Sequence, residues 1–460
     1  MNLSTYTPHI KKHFLLAYPV MLSQLGHMLA GQADTLMVGR LGAKDLAAAS
    51  LANSIFGIVM MFGIGVSMAV TPLVATAHGE NDNKKVATIF KHGVLTVLIT
   101  ALLLFVILLL GTDALRYMNQ PDEVVQLAIP YSIYLSASLL PLMVFQAFKQ
   151  FAEGLSDTKW AMYISVGANL LNICMNFVFI YGKMGFPAMG LNGAGLATLI
   201  ARLLMALAMV LYVYNAGRFQ KYWQKVNLKG FHRQEFRKIL NIGLPTGFQF
   251  IFEVGAFSAA AIMTGWIGTH AQAAHQIAIS LGAVTYMMAS GIGAAATVRV
   301  GNLFGGKDIA DMRIAGFVAF GMGILFMAFM GGGFLLFKDI LPHFYVTEEE
   351  VIGIASSLLI IAAFFQVSDG VQVVGLGALR GMGDVKVPTI FAVLAYWVVG
   401  LPVGYLLGFT FNMEAEGIWY GLLIGLSISG CLMLLRFHVL SRNLKLKTSR
   451  KRIVKQFSEV

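Results

Sequence analysis

The chain has 460 residues, of which 57% are hydrophobic and 12% charged, with a mean hydropathy of +0.74 and a formal net charge of +11. That apolar share excludes a soluble domain of this length, which would need far more polar surface. The two cysteines, Cys174 and Cys431, both sit in apolar runs, offering neither a disulfide framework nor metal-ligand spacing.

The chain opens on polar MNLSTYTPHIKKH, and its first apolar run outlasts the h-region of a signal peptide, so the first span is expected to act as its own insertion signal. Windows long enough to cross about 30 Å of hydrocarbon begin near Phe14, Leu46, Val86, Val125, Trp160, Met189, Ile239, Gln272, Ile314, Val351, Val387 and Gly417. They mix Leu, Ile, Val, Ala, Met and Gly without the alternation of barrel strands. The expected fold is therefore an all-α polytopic membrane protein with twelve transmembrane helices.

Loop cations orient those helices. With the N-terminus inside, cytoplasmic segments hold Lys11 and Lys12, Lys84, Lys85 and Lys91, Lys149 and Lys159, the basic run from Arg218 to Lys238, Arg299, Lys307 and Arg313, Arg380 and Lys386, and the tail from Arg436 to Lys455. The outer loops hold only Arg40, Lys44, Arg116, Lys183 and Lys338. Both termini are thus expected in the cytoplasm, with the chain in the cell inner membrane. The positive charge is explained by topology and by anionic lipid, and calls for no nucleic-acid partner.

The sequence is also duplicated. YPVMLSQLGHMLAG from Tyr18 resembles LPTGFQFIFEVGAF from Leu244, and LGAKDLAAASLANS from Leu41 aligns at the same offset with IGTHAQAAHQIAIS from Ile267. One residue beyond that offset, GLSDTKWAM from Gly154 echoes GMGDVKVPT from Gly381. Each half contributes six spans, an even number that returns the chain to its starting side, so the halves are parallel repeats. The expected organisation is an N-terminal lobe over 1–216, a cytoplasmic linker over 217–238, and a C-terminal lobe with a basic tail over 239–460.

Asp34, Glu253 and Asp369 lie inside apolar spans, whereas the other acids sit in loops and at helix ends. An ionisable group at bilayer depth costs at least ~2.5–3.5 kcal/mol, and such groups mark ion or substrate pathways. At 1.5 Å per residue, Asp369 lies about 16 Å from Arg380 and Glu253 about 22 Å from Lys238, while Asp34 lies about 9 Å from Arg40. Gln366, Asp369 and Gln372 share a helix face, as do Gln249 and Glu253 one turn beyond Pro245. Asn169, Asn172 and Asn176 form a further polar stripe, serving either as uncharged ligands or as helix-to-helix hydrogen bonds. His27 aligns with Glu253 in the repeat and shares a face with Asp34; an interhelical hydrogen bond is favoured there over a proton relay. Arg202, inside the sixth span, either pairs with an acid or reaches a wet cavity.

The segments GQADTLMVGRLG (Gly31–Gly42), IFEVGAF (Ile251–Phe257), AAHQIA (Ala273–Ala278), LNICMNFVFIYG (Leu171–Gly182) and SDGVQVVGLGALRGMGD (Ser368–Asp384) resemble the multidrug and toxic compound extrusion (MATE) family, NorM subfamily, over nearly the whole chain. The resemblance implies a cation-coupled antiporter that exports organic cation drugs and dyes; alternating access by rocking is expected from the two six-helix lobes, and the chain is expected to work as a monomer. It assigns Asp34, Glu253 and Asp369 to cation and drug coupling, with Asn172 and Asn176 beside the first-lobe site. Phe365 departs from the pattern, standing where some relatives carry a tyrosine. The coupling ion is Na⁺ or H⁺. The amides Gln249, Gln366 and Gln372 would complete a hard-oxygen shell around Na⁺ at Glu253 and Asp369, which favours Na⁺, but buried acids also suit a proton.

Other classes fit less well. No GxxxxGK[ST] follows a strand, so an ATP-driven pump is not supported and no cofactor is expected. An intramembrane enzyme is disfavoured because the spans hold no paired-aspartate motif, HExxH or Ser/Lys dyad. A twelve-span major facilitator would carry a Gly, Asp and Arg-rich signature where HGENDNKKVA (His78–Ala87) stands. The main alternative is a lipid-linked oligosaccharide flippase of the same superfamily, whose cavity would be lined by several cations, whereas the mid-membrane charge here is net acidic.

Overall fold

The computed structural model describes residues 3–227 and 230–458, with side chains described from Tyr6 to Leu444 except at 228 and 229. The side chains of Lys229 and of the tail cations beyond Leu444 therefore lie outside the described residues. The described chain is helical, with no β-strand. Twelve of its helices are long and apolar enough to cross a membrane. They are α1 (Leu3–Gly39), α2 (Ala43–Gly79), α3 (Asn83–Gly111), α4 (Asp122–Gly154), α5 (Lys159–Tyr181), α6 (Leu191–Asn215), α7 (Arg233–Ile267), α8 (Thr269–Gly305), α9 (Ile309–Phe337), α10 (Glu349–Gly381), α11 (Lys386–Thr410) and α12 (Glu414–Ser458). Each expected span falls on one of them.

The duplication is visible in the backbone. Asp82 caps α3 by accepting hydrogen bonds from the backbone N–H groups of Lys84 and Lys85, both at 3.0 Å. Its repeat partner, Asp308, caps α9 by accepting from the N–H of Asp311 at 3.2 Å. Each cap satisfies donors that have no partner within the helix. The residue before each cap is left-handed, Asn81 at φ 57° and Lys307 at φ 59°. The turns into α2 and α8 pivot on Gly42 and Gly268 at φ 146° and 156°, values that only glycine adopts without strain.

Packing divides the chain into two compact units. One comprises Leu22–His78 and Asp82–Ile251; the other comprises Met1–Met21, Gly79–Asn81 and Phe252–Val460. In the first, α4 packs against α2, α3 and α6, and α5 packs against α6. In the second, α10 packs against α8, α9 and α12, and α11 packs against α12. The repeats thus use corresponding helix pairs. The two aspartates of the third sequence match also have corresponding jobs. Asp157 joins Tyr212 of α6 at 2.5 Å and Arg218 at 3.0 Å, and Asp384 joins Arg436 of α12 at 2.9 Å, so each ties the loop after a central helix to the last helix of its unit.

The 217–238 segment contains a short helix, Gly217–Trp223, that buries Phe219 and Tyr222. Lys91 of α3 donates hydrogen bonds to the carbonyls of Asn227, at 2.7 Å, and of Gly230. Leu98, Leu102, Leu103, Ile107 and Leu110 on α3 are exposed, as befits a lipid-facing surface.

In the C-terminal unit α8 and α10 approach backbone to backbone: a Cβ at Gly377 would lie 2.1 Å from the Gly293 carbonyl oxygen. Such contact needs small residues, since interdigitation rather than hydrophobic drive holds helices together in lipid. Gly377→Ala is expected to cost about 1–3 kcal/mol by overpacking and to lower the Tm of the detergent-solubilised protein. Gly332→Ala in α9, where nothing lies within 4 Å, is the control and should leave Tm unchanged or slightly raised.

Candidate functional site

In the N-terminal unit, α1, α2, α4, α5 and α6 enclose a cavity of about 710 Å³. Its volume falls in the range of small-molecule sites, about 300–1,000 Å³. Asp34, His27, Asn169, Asn172 and Arg202 all line it, so the structure brings the first-half sequence candidates together. Asn176, just outside the lining, donates its amide N–H to Asp34 Oδ1 and fixes the carboxylate from α5. Asn172 donates to Thr198 Oγ1 of α6 at 3.5 Å, and so also joins helix to helix. His27 faces the cavity.

Arg202 is reported by its neighbours. Its Nη1 donates to Ser138 Oγ at 2.7 Å, Nη2 lies 3.9 Å from Met60 Sδ, and the guanidinium stands over the Phe56 ring at 5.1 Å. Arg202 lines the cavity and lies within electrostatic range of Asp34, while among the described residues no carboxylate stands within ion-pair distance of it. Asn53 and Tyr131 share this cavity and are joined at 3.4 Å. Neither was foreseen, because neither is charged nor part of an amide stripe such as Asn169, Asn172 and Asn176.

In the C-terminal unit, Glu253 and Asp369 are 6% and 4% exposed, and Asp369 lies within range of the Glu253 charge. Gln372 Nε2 donates to Glu253 Oε1 at 3.1 Å, and Tyr396 of α11 donates its hydroxyl to Gln372 Oε1 at 3.2 Å. Tyr286 of α8 lies within electrostatic range of both carboxyls. Gln366 turns instead to Thr285, whose hydroxyl donates to Gln366 Oε1 at 2.8 Å. Gln249 lies on the stretch of α7 that packs into the N-terminal unit. Of the three amides, Gln372 alone has a described hydrogen bond to one of the carboxyls.

Tyr396 was not foreseen. It sits in a π-helical stretch of α11, Leu394–Gly400, which ends two residues before Pro402. Proline removes a helical donor and crowds the preceding turn, and single-turn π widening accommodates it while re-aiming side chains. Trp397, next along, donates its indole N–H to the Phe252 carbonyl at 2.9 Å and anchors this stretch to α7. Phe365 is buried, with its ring 6.1 Å from Phe257 and 6.0 Å from Trp419. Phenols within electrostatic range of the acids come instead from α11, through Tyr396, and from α8, through Tyr286. No group of three or more His, Cys, Asp or Glu side chains suited to a metal ion occurs among the described residues.

The family model MatE matches residues 19–178 and 245–406, two segments that begin at the repeat-related prolines Pro19 and Pro245. The chain belongs to the MatE family. Among similar proteins are the probable multidrug resistance protein NorM of Mesorhizobium japonicum (strain LMG 29417 / CECT 9101 / MAFF 303099), 35% identical over 93% of both chains, and the multidrug resistance protein NorM of Aliivibrio fischeri (strain ATCC 700601 / ES114), 33% identical over 95% of this chain and 96% of that one. Solved structures that share the fold include MATE in complex with MaL6, at TM-score 0.88 and 22% identity over 95% of this chain and 97% of that one, and the eukaryotic MATE transporter AtDTX14, at TM-score 0.84 and 19% identity over 96% and 99%. This MatE chain is a multi-pass membrane transporter and not an enzyme.

A carboxylate buried near a like charge destabilises the protein that holds it. Asp369→Asn is therefore expected to leave the Tm of the MatE protein unchanged or raised in detergent. A Tm several degrees lower would show instead that the carboxylate makes a bond needed for folding.

Proposed function

We propose that the chain is a cation-coupled multidrug efflux antiporter of the inner membrane, working as a single chain by alternating access and exporting organic cations and dyes. The carrying observation is that Glu253 and Asp369 are both buried in the C-terminal unit, with Asp369 in electrostatic range of Glu253. Acids at that depth are held for exchange with an ion, since packing alone would favour apolar residues. The similarity to NorM multidrug resistance proteins supports drugs as the cargo, and the cavity beside Asp34 is the place for them. Na⁺ is favoured as the coupling ion: two carboxylates, the Gln372 carbonyl and the Tyr396 hydroxyl are hard oxygen donors gathered within one unit. The flippase alternative gains no support from a cavity with one guanidinium beside one carboxylate.

Ethidium efflux from proteoliposomes tests the coupling. An inward Na⁺ gradient is expected to drive export, and Glu253→Gln and Asp369→Asn are each expected to reduce it at least tenfold at matched protein. Export driven by a proton gradient in Na⁺-free buffer, with no added effect of Na⁺, would replace Na⁺ by H⁺. Export driven by neither would reject the antiporter.

Both termini are proposed to be cytoplasmic. In a background with Cys174 and Cys431 replaced by alanine, a cysteine at exposed Gln224 should escape an impermeant thiol reagent in intact spheroplasts, while one at exposed Gln120 should react. The reverse pattern would invert the orientation.

A further inference from the structure

A groove of about 490 Å³ runs between the start of α5 and the end of α6. Trp160, 51% exposed, stacks on Tyr212 with ring centroids 5.2 Å apart, and the two rings wall the groove at the membrane boundary. One helical turn deeper it continues over Ile164 and Ala208, with Leu211 beside them. Its other end is polar. The Tyr212 hydroxyl donates to Asp157 Oδ2 at 2.5 Å, and Arg218 Nη1 reaches the same oxygen at 3.0 Å. Asp157 is buried, whereas half of the Arg218 side chain is exposed. One carboxylate oxygen thus anchors the guanidinium while leaving most of its five N–H donors for another acceptor. Lys159, also exposed, opens α5 one residue before Trp160.

The repeated scaffold does not require this arrangement. Asp157 and Lys159 have counterparts in Asp384 and Lys386, but Val387 stands where Trp160 does, and the partner of Asp384 is Arg436, from within α12. The aromatic wall and the exposed guanidinium are additions to one unit. They combine an apolar trough, amphipathic rings at headgroup level and two cations above them, which is the chemistry of a lipid whose headgroup carries a phosphate and a net negative charge.

We propose that this groove binds one anionic phospholipid of the cytoplasmic leaflet, its acyl chain along Ile164, Ala208 and Leu211 and its phosphate held by Arg218 and Lys159. A guanidinium accepts a phosphate through paired hydrogen bonds, and each basic side chain at the membrane surface adds about 1 kcal/mol of attraction to an anionic headgroup. A boundary lipid without such a site would touch the same walls but would not be chosen by charge. The leaflet follows from the orientation proposed above; binding in a bilayer with identical leaflets does not depend on it.

Trp160 reports directly on the groove, because bromine on an acyl chain quenches indole fluorescence at contact range. The full-length protein is placed in phosphatidylcholine nanodiscs containing a small fixed fraction of either phosphatidylglycerol or phosphatidylcholine brominated near the headgroup end of one chain. Each protein is measured with and without Trp160→Phe, and the difference gives the Trp160 component. In wild type that component is expected to be quenched about threefold more by the brominated anionic lipid than by the brominated zwitterionic one. Arg218→Gln and Lys159→Gln should each reduce the preference, the double variant should abolish it, and Lys386→Gln, at the repeat-related position, should leave it unchanged. Raising the salt to about 1 M, where the Debye length is about 3 Å, should weaken it in wild type. Equal quenching of Trp160 by the two lipids in wild type overturns the proposal and leaves an ordinary boundary lipid; so does a preference that survives in the double variant. If Arg218→Gln fails to fold because Asp157 loses its partner, Lys159→Gln and the salt series decide, and a preference that neither reduces overturns the site. The cysteine labelling described above tests the orientation separately.

Discussion

Two carboxyl groups enclosed within one helical unit cannot both be ionised cheaply, and the chemistry of the C-terminal unit is arranged around that constraint. Glu253 arrives on α7 and Asp369 on α10, the helix against which α8, α9 and α12 all pack. The surrounding groups supply oxygen and amide contacts: Gln372 reaches Glu253, and Tyr396 reaches Gln372. A hydrogen-bond chain of this kind orients the acids and leaves acceptor capacity on their oxygens. Oxygen acceptors of this kind suit a proton or a cation.

Duplication explains how such a site arises without disturbing the fold. The backbone features shared by the halves, the aspartate caps, the left-handed residues before them and the glycine turns, all lie at helix ends. The charged groups inside the spans are not shared. Glu253 corresponds to His27, and Asp34 corresponds to Ala260. Helix termini must satisfy the same orphan backbone groups in both halves, whereas side chains facing a unit's interior are free to diverge. One scaffold thus carries an acid pair in one unit and an acid with a guanidinium in the other.

The spans, the repeat and the in-membrane acids were legible because hydropathy, offset and charge are properties of the sequence itself. What escaped depends on rotation about helix axes. Gln366 and Gln372 sit on one helix face by spacing, yet packing turns the first toward Thr285 and the second toward Glu253. Tyr396 comes into play through a π-helical stretch before Pro402, where the spacing rule for an α-helix no longer applies. The units also divide within α1 and α7, whereas the composition of 217–238 suggested a linker between lobes. A helix of 37 residues is about 56 Å long, well beyond the hydrocarbon thickness, so its two ends meet different neighbours, and a hydropathy window registers neither.

If the acid pair holds the coupling ion and the Asp34 cavity holds the cargo, the two ligands do not compete for one carboxylate. Exchange by direct displacement, in which a cation evicts a drug from a shared acid, then has no site at which to occur. Coupling must be a linkage: each ligand binds one conformational state better than the other, and by reciprocity the effect of the ion on drug affinity equals that of the drug on ion affinity. A ligand with equal affinity for both states would shift nothing, however tightly it bound. The elements able to carry such a bias are those with contacts in both units, and α1 and α7 are each divided between them. Glu253 stands two residues beyond the division in α7, and Asp34 lies on the same helix as the division in α1. On that reading, occupancy of either acid would act on a helix that is divided between the two units.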